Sequence, residues 1–378
     1  MTTKISKVKI GITGQNGFVG RHLYNYLKLF SDEFELVDFD RHFFNNDRNL
    51  NTFVSNCDTI IHLAGVNRDK NPESLYQQNI EVTKKLINAL ERTNSTPSII
   101  FSSSSQEDLE NLYGKSKMES RGMLADWSVR TGAKFTGLII PNVFGPFGKP
   151  YYNSFIATFC HQLTQNEQPS IDIDVSVKLI YLDDLIKKIV HVIRSGAWNP
   201  KLIIPFTNEY KVSEILDILE SFKSQYFLGG IIPELRNQFE VNLFNTYRSF
   251  IDVKTYYPVK FVKHADHRGT FVEIIKMHTG GQVSFSTTIP GVTRGNHYHT
   301  RKIERFAVIR GKALIQLRKI GTDEILNYYL DGDEPAYVDM PIWYTHNITN
   351  VGSDELLTNF WINEFYDPND PDTYFETV

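Results

Sequence analysis

The sequence predicts an α/β fold: a doubly wound parallel sheet followed by an all-β domain. Three observations carry this. Short apolar runs alternate with helical patterns over the first 150 residues, a glycine turn joins the first run to the first helix, and helices give way to short β-rich runs after residue 258.

The apolar runs "VKIGIT", "ELVDF", "TIIHLA", "SIIFSS" and "FTGLII" have the length of buried strands. Between them lie helical patterns such as "NIEVTKKLINALERT", whose Ile80, Leu86, Ile87 and Leu90 fall on one stripe. Strands alternating with helices pair in parallel and have both faces covered. After Pro150 the rhythm loosens. "NSFIATFCHQLTQNE" reads as a helix, as do "DDLIKKIVHVIRSG", with Asp183 as N-cap, and "KVSEILDILESFKSQY", with Ser213 as N-cap. From about 258 the runs "GGQVSFSTTIPG", "RFAVIRGKALIQLRKIG", "ILNYYLDGDEPAYVDMP" and "LLTNFWINEF" are separated by Gly, Pro and Asp turns, the pattern of a small sandwich or barrel. The boundary is placed near "VKTYYPVKF", giving domains 1–257 and 258–378.

At 378 residues the chain has ample material for two cores, and 41% hydrophobic content is ordinary for a globular protein. A net charge of −4 gives no reason to expect nucleic acid or an anionic membrane as partner. Cys57 and Cys160 have neither scaffold nor metal spacing and read as reduced, buried thiols. No apolar run is long enough to span a bilayer, and "MTTKISKVKIGIT" lacks the apolar core of a signal peptide. A cytoplasmic location is expected.

In "TGQNGFVG", Gly14, Gly17 and Gly20 stand between a strand and a helix. Glycines there let the backbone approach a pyrophosphate seated at the helix N-terminus. In "NLYGKSKMES", Tyr113 and Lys117 lie one helical turn apart on one face. An ammonium near a phenol is expected to lower a pKa that starts near ~10, making Tyr113 a proton donor to a carbonyl that receives hydride. The upstream "FSSSSQ" ends a strand and offers hydroxyls to the same carbonyl, Ser104 first and Ser103 next. In "LVDFDRHFF", Asp38 or Asp40 would accept from a ribose 2′-hydroxyl, whereas Arg41 would pair a 2′-phosphate.

The second constellation is "GVTRGNHYHTRKIERFAVIRG". Alternate residues of a strand share a face, so His297 and His299 point the same way. Glu304 follows after a turn, and His346 in "MPIWYTHNITN" can join from a distant strand. Three imidazoles and a carboxylate suit Zn2+ or another borderline divalent metal, catalytic or structural.

The pieces "TGQNGFVG", "IIHLAG", "FSSSS", "YGKSK", "PNVFGP" and "LIYLDDL" resemble, in order over residues 8 to 220, the extended short-chain dehydrogenase/reductase family. The resemblance implies a Rossmann domain with Ser104, Tyr113 and Lys117 as catalytic set and NADPH (NADP) as cofactor. It implies cofactor contacts from Gly14, Gln15, Asn16, Gly17, Phe18, Val19, Gly20, Arg41, Leu63, Ala64, Gly65, Tyr113, Lys117, Pro141 and Asn142. One departure is the link of only eight residues between Ser104 and Tyr113, shorter than the family's usual loop.

In the second half Gly291, His297, His299, Glu304 and Gly311 resemble the first motif of the cupin family, and Pro341, His346 and Asn350 most of its second. Trp343 stands where that motif usually has glycine. "HADHRGTFVEI" and "TRGNHYH" look like segments of cupin-type epimerases acting on 4-keto deoxysugars.

The whole arrangement, ending "EFYDPNDPDTYFETV", resembles bifunctional capsular-polysaccharide enzymes that join a reductase to a cupin. It implies C3 epimerisation of a UDP-4-keto-2-acetamido-2,6-dideoxyhexose by the cupin domain. NADPH reduction at C4 would then give UDP-N-acetyl-6-deoxy-L-talosamine, precursor of UDP-N-acetyl-L-fucosamine for capsule or O-antigen. It also implies a homodimer. The alternative is a sugar reductase or epimerase whose metal-stabilised cupin serves only as a dimerisation or sensor module. Residues open as the epimerisation base are His299, Tyr298, Tyr344 and Asp339.

Overall fold

A computed structural model describes residues 7–267 and 269–378. Residues 1–6 of the expected leaderless start, and Arg268 of "HADHRGTFVEI", lie outside the described residues. The chain forms two compact units. The first runs to Thr158 and adds Ile173–Val212; the second comprises Phe159–Asp172 and Ser213–Val378.

In the first unit β1 (Val8–Thr13), α1 (Phe18–Lys28), β2 (Phe34–Val37), α2 (Asp47–Ser55), β3 (Thr59–His62), α3 (Pro72–Thr93), β4 (Ser98–Ser104), α4 (Leu112–Thr131) and β5 (Phe135–Ile140) follow the expected alternation. Then come β6 (Asn142–Phe144), α5 (Phe155–Thr164), which straddles the two units, β7 (Ser176–Tyr181), α6 (Leu182–Ser195), β8 (Leu202–Ile203) and β9 (Asn208–Lys211). The main sheet is parallel throughout, in the order β2-β1-β3-β4-β5-β8. Strand order reverses between β1 and β3, and a ligand crevice opens outside the carboxyl ends of strands at such a point.

The strands are apolar on both faces because each face carries helices. Ile10, Ile12, Ile61 and Ile100 pack with Leu23 and Leu27 of α1 and Ile186 and Ile189 of α6. Their neighbours Ile60, Ile99 and Phe101 pack instead with Phe53 of α2, Leu86 and Leu90 of α3, and Leu124 and Trp127 of α4. Alternation thus feeds two cores from one sheet. The N-cap position of α6 is Tyr181 rather than Asp183, which lies with Asp184 in the first turn, where a carboxylate still complements the helix dipole. Ser213 falls inside α7 (Val212–Phe222), one residue past its start.

The second unit begins before the change of sequence pattern. After α7 come a π-helical turn (Lys223–Leu228), α8 (Gln238–Arg248) and α9 (Val253–Tyr256), then β10 (Val259–Lys260), β11 (Lys263–Asp266) and β12 (Gly269–Val272). Next are β13 (Gln282–Thr288), β14 (Thr293–Tyr298), β15 (Glu304–Arg310), β16 (Lys312–Lys319), β17 (Ile325–Asp331), β18 (Ala336–Met340), β19 (Tyr344–Asn350), β20 (Leu356–Ile362) and β21 (Tyr374–Phe375). Two five-stranded antiparallel sheets result, β10-β18-β15-β20-β13 and β17-β16-β19-β14-β21, and β11 pairs antiparallel with β12. Phe306, Val308, Val338 and Met340 of one and Ile315, Leu317, Leu330 and Ile348 of the other share a core that also takes in Val253 and Tyr257.

Buried polar bonds tie the helical segment to the β-rich part. Arg305 holds Asp339 from the neighbouring strand through two bonds of 2.7 and 2.9 Å, both side chains being buried. The Tyr226 hydroxyl donates to the same carboxylate at 2.6 Å, Arg248 donates to the Met340 carbonyl at 3.0 Å, and Arg305 reaches the Gly230 carbonyl at 3.1 Å. Residues 213–257, grouped with the first domain on pattern alone, therefore share a compact unit with the strands. Both cysteines are free and buried, and no helix among the described residues is long and apolar enough to cross a membrane.

Removing one member of a buried ion pair strands the other charge. Asp339→Ala should cost about 3–5 kcal/mol in denaturant unfolding of the second unit; a loss below about 1 kcal/mol would place the pair among solvent-screened ones.

Candidate active sites

The turn after β1 has the form that a phosphate cradle requires. Gly14 adopts φ +78°, and a Cβ there would meet the Ala64 backbone at 3.0 Å. At Gly20 a Cβ would lie 2.2 Å from the Gly14 carbonyl oxygen, so only glycine lets α1 pack this close to the turn. Gly17 is the N-cap of α1 and supplies no side-chain cap, leaving the first amides without a side-chain acceptor. Gln15, Asn16, Phe18 and Val19 belong to this same turn and helix start, and Leu63, Ala64 and Gly65 follow β3 directly alongside it. Pro141 and Asn142 leave the end of β5, so these segments all emerge at the carboxyl edge of the sheet.

After β2, Asp38 accepts from the Tyr24 hydroxyl at 3.2 Å, and Asp40 caps a 3₁₀ turn by accepting from His42 N at 2.7 Å. Arg41 is exposed and in no ion pair among the described residues. Local structure thus engages both carboxylates and leaves the guanidinium available.

Ser104 ends β4, and Tyr113 and Lys117 sit in the first turns of α4. The Tyr113 hydroxyl lies within the influence of Ser104. Burial around that hydroxyl pushes its pKa up to about 12, against the opposing pull of Ser104. The direction is opposite to the acidification expected from Lys117: burial dominates, and the Lys117 Nζ lies 5.9 Å from the Tyr113 ring centroid. Lys117 is 4% exposed and donates to the Ser102 carbonyl at 3.0 Å. Burial lowers its pKa to about 8, and Glu107 partly offsets that. His62, buried nearby, is driven down to about 3 by burial and by the Lys117 charge, so it is neutral.

The eight-residue link is filled by a 3₁₀ turn, Ser105–Asp108. Its Glu107 is buried, accepts from the Ser103 hydroxyl and takes Arg121 of α4 at 2.8 Å. Ser103 is thereby engaged, and the geometry favours Ser104 as the hydroxyl facing Tyr113. A Cβ at Gly114 would sit 1.9 Å from the Gln106 carbonyl oxygen, so glycine after Tyr113 is what allows the short turn to dock on α4. Glu107 and Arg121 carry no motif signal; nothing local distinguishes them from surface charges.

In the second unit His297 of β14 and His346 of β19 are register partners. His299 follows β14, and Glu304 opens β15 in the other sheet. One ligand atom from each of the four lies within 4.8 Å of the rest. His299 Nε2 and His346 Nε2 are 3.1 and 3.2 Å from Glu304 Oε2. On their other sides Nδ1 of His299 donates to the Asp372 carbonyl at 2.5 Å, and Nδ1 of His346 donates to the Tyr344 carbonyl at 3.2 Å. A carbonyl can only accept, so each of these rings carries a proton on Nδ1 and turns Nε2 toward the Glu304 carboxylate, where a deprotonated Nε2 would offer its lone pair to a cation. His346 Nε2 is buried with no hydrogen-bond partner. A divalent cation among the four groups satisfies both lone pairs and the carboxylate, so the residues fit a metal.

Charge in the cluster follows the same logic. Burial drives the His297 imidazole down to about 4, helped by His346 and His299. Burial opposes ionisation of Glu304, but the adjacent His299 and His346 imidazoles more than offset it and hold the carboxyl well below its usual range.

Trp343 takes φ +61°, the left-handed turn that glycine would adopt. It stacks on Tyr298 at 5.7 Å, and its N–H donates to the His299 carbonyl at 2.8 Å, so bonds and stacking sustain the turn. Gly291 and Gly311 have φ +77° and +86°, and Asn350 is wholly buried, bonded to the Thr288 and Asp354 carbonyls. Among the residues open as base, Asp339 is consumed by Arg305 on the opposite face of β15 from Glu304. Tyr298 is sandwiched between Trp343 and Tyr374, and His299 has both ring nitrogens engaged. Tyr344, half-buried against the core, has its pKa raised to about 12 by burial.

Residues 10–203 match the NAD dependent epimerase/dehydratase family and residues 264–374 the polysaccharide biosynthesis C-terminal domain. The chain is 34% identical to UDP-2-acetamido-2,6-beta-L-arabino-hexul-4-ose reductase of Pseudomonas aeruginosa, over 97% of this chain and 98% of that protein. It is 36% identical to the crystal structure of the capsular polysaccharide assembling protein CapF from Staphylococcus aureus, with TM-score 0.62, over 98% of this chain and all of the other. The chain belongs to the CapF family. It is also 28% identical over 123 residues to the spore coat polysaccharide biosynthesis protein SpsL of Bacillus subtilis, covering 30% of this chain and 82% of that one. Membership of the CapF family makes the chain an oxidoreductase of nucleotide-sugar type.

Because Lys117 keeps its ammonium only below about pH 8, carbonyl reduction that depends on it should decline through that pH, well below the range of an exposed lysine. A pH–rate profile flat to pH 10 would contradict a rate that depends on the Lys117 ammonium titrating near pH 8.

Proposed function

We propose that this chain epimerises a UDP-4-keto-2-acetamido-2,6-dideoxyhexose at C3 and then reduces its C4 ketone with NADPH, yielding UDP-N-acetyl-6-deoxy-L-talosamine. The observation that carries the reductive half is the Ser104–Tyr113–Lys117 group at the carboxyl edge of the parallel sheet, beside a glycine cradle. NADPH, when bound, supplies the hydride. Ser104 orients the carbonyl oxygen, and Tyr113 transfers its phenolic proton to that oxygen as it becomes an alkoxide. A phenol held protonated by burial is suited to this role, and the Lys117 ammonium stabilises the phenolate left behind. The exposed Arg41, with Asp38 and Asp40 bound elsewhere, favours a 2′-phosphorylated cofactor. The P. aeruginosa relative, named as a reductase of a UDP-acetamido hexul-4-ose, supports a ketone at C4.

The epimerising half rests on the imidazole–carboxylate cluster in a cupin-like unit. His297, His299, Glu304 and His346 would hold Zn2+ or a similar ion, which supplies Lewis acidity beside a carbonyl. Hydrogen on the carbon next to a ketone is acidic; once the ketone is reduced to an alcohol, that acidity is gone. Epimerisation must therefore precede reduction, which gives one chain a reason to carry both sites. A cytoplasmic homodimer fits this reading: β13 is an edge strand with Val283 and Phe285 exposed, a surface a second copy could cover.

Tyr113→Phe should lower NADPH oxidation with the purified UDP-4-keto-hexosamine by at least about 100-fold, the lower end of general-acid contributions, and the unaltered protein should consume one NADPH per sugar reduced. Turnover without net NADPH consumption would replace the reductase with an epimerase or dehydratase that retains its cofactor. Removing metal with a chelator should leave NADPH binding intact while abolishing formation of the epimerised product.

A further inference from the structure

The segment 370–378 lies against the strand that carries the histidines. Tyr374 and Phe375 pair with Tyr298 and His297 of β14, and Tyr374 stacks on Tyr298 at 5.4 Å. Glu376 N donates to the Asn296 carbonyl at 3.0 Å, and Thr345 Oγ1 donates to the Glu376 carbonyl.

Ahead of this short strand Asp372 is 2% exposed and sits at φ +40°, unusual for a residue with a side chain. Its carboxylate accepts the N–H groups of Thr300, Arg301 and Lys302 at 3.0, 3.0 and 2.9 Å and the Thr300 hydroxyl at 2.6 Å. These residues are the three that follow His299. Its carbonyl then accepts Nδ1–H of His299 itself. One residue, 73 positions away in sequence, thus fixes both the backbone leaving His299 and the ring's tautomer and direction.

We propose that segment 370–378 is a positioning element of the metal site, acting through Asp372 on His299. The inference rests on the reading of His297, His299, Glu304 and His346 as metal ligands. A histidine ligand free to rotate, or carrying its proton on Nε2, would present no lone pair to the ion. Partners of this kind are worth about 10- to 100-fold in metal affinity.

The test is zinc titration of the full chain, stripped by chelation, against a chromogenic competitor. In Asp372→Asn the amide nitrogen cannot accept a backbone N–H, so the clamp loses acceptors while keeping its size. Zinc should bind about 10- to 100-fold more weakly, whereas Tyr329→Ala, at a 71% exposed residue of β17, should bind within about twofold of the parent. Equal affinity in Asp372→Asn and parent overturns the positioning role, while absence of zinc binding by the parent overturns the metal reading instead. If Asp372→Asn loses its near-ultraviolet circular dichroism, histidine 15N spectra of the zinc-loaded parent decide. Zinc on His299 Nε2 with the proton on Nδ1 supports the proposal; zinc on Nδ1 overturns it.

Discussion

Both sites depend on one constraint: a titratable group taken out of water must have its far side held by the backbone. Lys117 donates a hydrogen bond to the Ser102 carbonyl, and His299 and His346 donate theirs to the carbonyls of Asp372 and Tyr344. A carbonyl has no proton to offer and cannot itself ionise, so it fixes donor direction without adding a competing charge. What remains is the functional end of each group, the Lys117 charge beside Tyr113 and the Nε2 atoms turned toward Glu304. Leaving any of these bonds unmade inside the protein would cost about 1–3 kcal/mol, which keeps the rings and the ammonium from wandering.

The two sites use burial in opposite senses. Around Tyr113 it keeps the phenol protonated, and at Lys117 it brings the ammonium close to losing its proton near neutral pH. Around Glu304 it is overcome, because the imidazoles of His299 and His346 beside the carboxylate keep it ionised. The first arrangement suits a group that must give up a proton, the second a group that must hold a cation. Elsewhere the same physics serves only stability: the Arg305–Asp339 pair, also buried, satisfies itself within the fold and has no free end.

The parts legible in the sequence were those whose chemistry is local. Glycine spacing after β1, the turn-spaced Tyr113 and Lys117, and the same-face His297 and His299 follow from period 3.6 and period 2 alone. Trp343 in place of glycine did not abolish its turn, because stacking on Tyr298 and the bond to His299 sustain it. What sequence could not show was set by pairing between distant segments. Asp339 looked available until the register placed it opposite Arg305. Glu107 and Arg121 looked like surface charges until the short turn folded one onto the other. The acidified Tyr113 was misjudged because spacing reveals a neighbouring ammonium but not how deeply the hydroxyl is buried. Helices 213–256 read as part of the first domain because pattern records helix content, not which core the helices cover.

The central claim is that one unit labilises the hydrogen beside a ketone that the other then reduces. It is tested most directly by incubating the metal-loaded protein with the UDP-4-keto sugar in D2O without NADPH and following C3 by NMR and mass. The account predicts one deuterium entering at C3, with exchange persisting in Tyr113→Phe. A sugar that stays fully protonated at C3 in the parent, while added NADPH is still oxidised, would contradict it.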